Sequence, residues 1–142
     1  MLYSYEYPRP ALTADCIITD ETKTQILLIE RKNDPFKYHW ALPGGFMEMT
    51  ESLFETAFRE LEEETGVLVQ KLEFFCIADG VNRDPRGRTV SAVFYGSFNR
   101  DSKIKAGDDA ARVDWFDLKQ LPPLAFDHKE IINRFSAEVL IS

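Results

Sequence analysis

The sequence predicts an α/β (α+β) fold, with a mixed β-sheet covered by helices on its faces. Three observations lead there. Short apolar and β-branched runs are interrupted by two segments of helical periodicity. The chain has 142 residues, 44% hydrophobic with 11 Phe, which is enough to bury a core and too apolar for disorder. No repeat or linker divides it, so one domain over residues 1–142 is expected.

Residues 1–10 read as an irregular arm, because Pro8 and Pro10 discourage regular structure. Residues 11–19 and 25–31 read as strands joined by a polar turn at 20–24. A polar loop containing Pro35 follows, with His39 at its end. Trp40-Ala41-Leu42 is a short extended piece, stopped by Pro43-Gly44-Gly45. Ser52 and Glu55 form a capping-box pattern that opens a helix. Apolar residues at 53, 54, 57, 58 and 61 mark its inner face, and Gly66 is its natural stop. Residues 67–77, 89–98 and 113–118 are expected as strands, with a loop at 79–88. Asp127 and Glu130 form a second capping-type pair before a helix through about Val139, with Ile131, Ile132 and Phe135 facing inward. Trp40 and Trp115 are expected in the core.

Composition removes several classes of function. The longest charge-free apolar stretch near the middle, 89–98, is far short of the roughly 18 residues of a membrane span. The N-terminal residues lack the basic-then-apolar pattern of a secretory signal. Cys16 and Cys76 are isolated, which disfavours a structural zinc site and fits a reducing cytoplasm. The formal net charge of −7 argues against a general nucleic-acid binder. The serine-hydrolase elbow, the GxxxxGK[ST] phosphate loop and the dinucleotide GxGxxG are absent.

The negative charge is concentrated. Between Gly45 and Val67 stand seven glutamates and one arginine, a local net charge of −6. At about 100° per residue, Glu60, Glu63 and Glu64 share one strip beside the apolar face, while Glu55 and Glu62 point elsewhere. Like charges so spaced repel, and a divalent cation would relieve them. All-oxygen donors select Mg²⁺ or Mn²⁺. Helix spacing alone favours a solvated acidic face, the commoner reading of a charge run.

The fuller pattern is Gly45, Glu51, Arg59-Glu60-Leu61, Glu63-Glu64 and Gly66-Val67. It resembles the Nudix box, G-x5-E-x7-R-E-U-x-E-E-x-G-U with U aliphatic, at all nine specified positions over 23 residues. The resemblance implies an α/β/α sandwich and hydrolysis of a nucleoside diphosphate linked to another moiety. It implies Glu60, Glu63, Glu64 and the Gly45 carbonyl as metal ligands, with Glu51 supporting the site and Arg59 orienting the glutamates. A general base from a mobile loop is also implied. Asp108 or Asp109 in the loop 105–110 are the candidates, with Glu48 and Glu51 as rivals.

Three further segments resemble small ADP-ribose pyrophosphatases: 7–13, 82–91 and 124–128. The resemblance implies ADP-ribose as substrate, cleaved to AMP and ribose 5-phosphate, and a homodimer. A nucleoside triphosphate (oxidised dGTP or a pterin triphosphate) is the alternative substrate, and a non-catalytic nucleotide sensor the alternative role. The first and third segments also resemble Nudix-type regulators of NAD metabolism. The intact box, and the short chain after the third segment, favour the enzyme. Arg83, Arg86 and Arg88 suit phosphate or ribose-phosphate recognition, although the same loop reads as an ordinary polar hairpin. Tyr5 and Tyr7 are candidates to stack on adenine, and Phe126 and His128 to line a base pocket.

Overall fold

The computed structural model describes residues 2–107 and 110–140. Its centre is β1 (Ala11–Thr19), whose residues 13–19 are all buried. A strand buried on both faces must lie between two layers. β1 runs parallel to β6 (Thr89–Ser97) over its full length, from Ala11 opposite Thr89 to Thr19 opposite Ser97. β2 (Gln25–Arg31) meets β1 only at the turn, Thr19 opposite Ile26, and pairs antiparallel with β7 (Ala110–Asp117). β3 (Trp40–Ala41) pairs with β2, and β5 (Glu73–Ala78) closes the far edge against β6. The described sheet is therefore mixed, in the order β3-β2-β1-β6-β5 with β7 off β2.

One helix lies on each face. α1 (Leu53–Thr65) packs over Ala14, Cys16 and Ile18 of β1 through Ala57 and Leu61. α2 (His128–Phe135) packs over Ile17, Ile26, Leu28 and Val93 through Ile131, Ile132 and Phe135. Alternate residues of β1 thus feed opposite layers, as the two-residue period of a strand requires. The α/β/α sandwich is as expected. No helix of the described residues is long and apolar enough to cross a membrane.

α1 is built as its sequence predicts. Ser52 Oγ accepts from the Glu55 amide, and Glu55 Oε1 accepts from the Ser52 amide. Gly66 ends the helix at φ +74°, a left-handed conformation that favours glycine. Its inner face differs from the apolar count, because Thr56 and Thr65 are fully buried while Phe54 is half exposed. Thr65 donates its hydroxyl to Leu61 O, and the Thr56 hydroxyl reaches Glu51 Oε1 at 2.8 Å and Ser52 O at 3.0 Å.

Four boundaries move, and the first is β7, expected at 113–118 and found at Ala110–Asp117. Residues 67–72 are irregular, and β5 begins only at Glu73, with a bulge between Phe74 and Cys76. Gly44–Phe46, expected as a stop, forms a strand, β4, antiparallel to β1. The second helix passes at Ser136 into a π-helical turn to Leu140. The Asp127 cap does not form, because both its carboxylate oxygens accept from Arg83 instead. Trp40 is buried, and Trp115 is partly buried against the α1 layer.

Candidate active site

Where β1, β4 and α1 meet, a cleft of about 530 Å³ opens, lined on one side by Gly44, Gly45, Glu48, Arg59, Glu60 and Glu64. β4 brings the chain this close because its glycines lack side chains. A Cβ on Gly44 would stand 2.2 Å from Asp15 Oδ1 and 2.3 Å from the Ala14 carbonyl oxygen. A Cβ on Gly45 would stand 2.5 Å from the Glu60 carboxyl carbon. The Gly44 amide donates to Glu64 Oε2 at 3.0 Å. The box glutamates at i and i+4 are thereby fixed against a glycine backbone.

Arg59 organises the rest of this wall. Its Nε and Nη2 donate to the two oxygens of Glu51 at 2.9 and 2.6 Å. Nη1 donates to Glu60 at 2.7 Å and to Glu63 at 3.2 Å, and Nη2 also reaches the Phe46 carbonyl. Glu48 stands 3.9 Å from Nη1. One guanidinium thus serves four carboxylates, which offsets their mutual repulsion. The hydrogen bonds from Arg59 dominate in lowering the Glu51 pKa to about 2. Glu51 is therefore a fixed anion and a poor proton acceptor near neutrality. Burial, reinforced by Asp15, Glu64 and Glu60, pushes the Cys16 thiol well up, so Cys16 packs as a neutral side chain beneath the acidic wall.

Glu60 and Glu64 line the cleft, whereas the Glu63 side chain is 59% exposed and turned to Arg59. Among the described residues, no three His, Cys, Asp or Glu side chains stand together as a ready metal cluster. The donors that do face the cleft are all oxygens beside glycine, which is the chemistry a hard divalent cation takes. Asp108 and Asp109 lie outside the described residues.

The opposite wall is basic and aromatic. Arg83 makes a bidentate pair with Asp127 at 2.9 and 2.8 Å. Burial opposes the Arg83 charge, but the Asp127 hydrogen bonds prevail and raise its pKa. Arg86 pairs with Asp84, whose side chain is 3% exposed. The Arg31 and Arg86 guanidiniums stand 5.0 and 5.4 Å from the centre of the Phe126 ring. Phe126 holds φ +54°, unusual for a non-glycine residue. Arg88 is turned away, donating to the Gly80 carbonyl. Tyr7 is exposed and borders a separate hollow with Tyr5 and Met49. His39 is half-buried against Phe36 and outside the cleft lining.

The NUDIX domain family profile matches residues 9–135. The chain belongs to the Nudix family. It is 45% identical over 129 residues to an ADP-ribose pyrophosphatase of Methanocaldococcus jannaschii, across 91% of this chain and 75% of that protein. It is 35% identical over 140 residues to the ADPR responsive transcriptional repressor NtrR of Acinetobacter baylyi, covering 94% of this chain and 56% of the repressor. It also superposes on the NUDIX domain of Shewanella oneidensis NrtR complexed with ADP ribose, with TM-score 0.85, 30% identity and coverage of 96% of this chain and 91% of that one.

The Nudix box accounts for one wall only. Sequence reasoning missed Asp15, Arg31, Asp84 and Ser91, of which all but Ser91 line the cleft. Asp15 is 7% exposed and accepts from Ser91 Oγ at 2.5 Å. His128, 4% exposed, accepts the Leu42 amide at Nδ1 and sets Nε2 3.9 Å from Asp15 Oδ2. The available signal was a carboxylate inside the otherwise apolar run of β1, which solvation alone does not explain.

Proposed function

We propose that this Nudix protein hydrolyses ADP-ribose to AMP and ribose 5-phosphate. The observation that carries the reading is the unbroken box folded so that Glu60, Glu64 and the Gly44–Gly45 backbone form one wall of a nucleotide-sized cleft. The similarity to an ADP-ribose pyrophosphatase supports the substrate.

Glu60, Glu64 and the Gly45 carbonyl, joined by Glu63, would hold Mg²⁺ or Mn²⁺. When bound, such a cation supplies charge neutralisation for the phosphoryl oxygens and acidifies a bound water. Everything else falls to the chain. Arg59 fixes the glutamates, and Glu51 fixes Arg59. A water oxygen bonds to one phosphorus, the bridging P–O bond breaks, and the proton leaves to a carboxylate base. Glu51 is too acidic for that role, which leaves Asp108, Asp109 and Glu48. Phe126 offers its ring to the base, with Arg83 and Arg86 on the flanking wall for phosphate oxygens. Tyr7, on an exposed arm, is placed to act across a homodimer if the chain pairs. Two buried, unpaired cysteines fit a reducing, cytoplasmic setting.

A hydrolysis screen over ADP-ribose, dinucleoside polyphosphates, NADH and oxidised dNTPs tests this, with Mn²⁺ binding followed by electron paramagnetic resonance. AMP and ribose 5-phosphate formation with Mg²⁺ is expected. Turnover of a triphosphate with none of ADP-ribose replaces the substrate. Tight ADP-ribose binding without product restores the sensor reading, which the similarity to a responsive repressor keeps in view.

A further inference from the structure

Between the acidic wall and Phe126 the cleft floor carries polar groups that neither the Nudix box nor metal binding uses. Asp15 Oδ2 accepts from the Ser91 hydroxyl at 2.5 Å, and Oδ1 lies against Gly44 with no hydrogen bond among the described residues. Beside it, His128 Nδ1 accepts the Leu42 amide at 3.0 Å, so the ring proton sits on Nε2. Nε2 is 3.9 Å from Asp15 Oδ2, too far for a hydrogen bond, and finds no partner among the described residues. Asp15 is 7% exposed and His128 4%, and both line the cleft. An acceptor and a donor therefore sit side by side on the floor and open to the cleft, since neither is among the buried side-chain polar atoms without a partner in the described residues. A ligand hydroxyl pair entering the cleft would meet one acceptor and one donor here.

Their position defines the partner's chemistry. The His128 ring centre is 5.4 Å from that of Phe126. Asp15 lies against Gly44, whose amide holds Glu64. The path from aromatic ring to acidic wall thus runs over His128 and Asp15. A flat base at one end and a phosphate at the other would leave a sugar above these two residues.

We propose that Asp15 and His128 form a sugar-diol subsite, in which the Asp15 carboxylate accepts from one ribose hydroxyl and His128 Nε2–H donates to its neighbour. The proposal rests on the nucleotide-substrate reading above. Ser91 is a positioning residue that orients Asp15. The consequence is selection for ribosyl over deoxyribosyl ligands.

The experiment measures binding of two pairs to the full chain by calorimetry: AMP with 2′-deoxy-AMP, and ribose 5-phosphate with 2-deoxyribose 5-phosphate. One pair is expected to favour the ribo form by about ten- to hundredfold, the effect of one hydrogen bond to a charged group. The discriminating pair identifies which ribose of the substrate is read. Asp15→Asn is expected to level that ratio, and a ratio is unaffected by any fraction of protein that fails to fold. The wild-type comparison needs no variant at all. Failure of both pairs to discriminate or to bind overturns the subsite, as does a wild-type ratio retained in Asp15→Asn. Discrimination without hydrolysis of ADP-ribose would leave the subsite standing and overturn only the substrate.

Discussion

The two walls of the cleft reach their charges by opposite routes. The acidic wall is a short stretch of chain folded on itself: Glu51, Arg59, Glu60, Glu63 and Glu64 come from one loop and one helix. The other wall is assembled at long range. Arg83 meets Asp127 across 44 residues, Ser91 meets Asp15 across 76, and Leu42 meets His128 across 86. The first wall leaves an excess of negative charge around a single arginine. On the second, Arg83 pairs with Asp127 and Arg86 with Asp84, while Arg31 donates to the Pro35 carbonyl. A site that must attract cations keeps its carboxylates in surplus, whereas a site that must hold shape neutralises them locally.

The comparison breaks hardest at the glutamates. Glu60→Gln or Glu63→Gln is expected to lower kcat on the order of a thousandfold, since several kcal/mol of charge stabilisation are removed. Thermal unfolding should barely move in Glu63→Gln, whose side chain is 59% exposed. Steady-state kinetics beside a melting curve checks both, and unchanged turnover in saturating Mg²⁺ would remove these residues from the metal site.

The two glycines of β4 separate fold from chemistry. Gly44→Ala sets a Cβ against the Ala14 carbonyl and Asp15, backbone that cannot swing away. A stability loss of about 1–3 kcal/mol is expected by denaturant titration. Gly45→Ala meets only the end of the Glu60 side chain, which can rotate. It should retain the wild-type midpoint and lose turnover.

On the opposite wall, Arg83→Ala leaves Asp127 without its bidentate partner. Breaking a buried ion pair is costly, but Asp127 is 20% exposed and can regain water. A loss of about 2 kcal/mol is expected in the unfolding midpoint. A larger loss of activity than of stability would mean that Arg83 also holds substrate.

The smallest effects are in pH. Burial lowers the His128 pKa from its ordinary 6.5, so the folded state binds fewer protons than the unfolded chain below that value. Stability should decline as pH falls from about 6.5 toward the lower folded value. The Glu51 pKa falls from 4.5 to about 2, chiefly through Arg59, so its contribution is present above 4.5 and lost between 4.5 and 2. Glu51→Gln should reduce only the second limb, to which the lowered Asp20, Glu73 and Asp84 also contribute, and His128→Gln only the first. Urea midpoints measured against pH resolve the two.

The sequence by itself determined the two-layer cover, the α1 helix with its cap and stop, and the acidic wall. Those features are written in neighbouring residues, where capping, periodicity and spacing act within a turn or two. Pairing β1 parallel to β6, drawing Gly44–Phe46 in as a strand, and turning Asp127 from a cap into the partner of Arg83 were tertiary decisions. So was placing Asp15 and His128 on one floor. Each depends on residues dozens of positions apart becoming neighbours, and short-range periodicity carries no record of that distance.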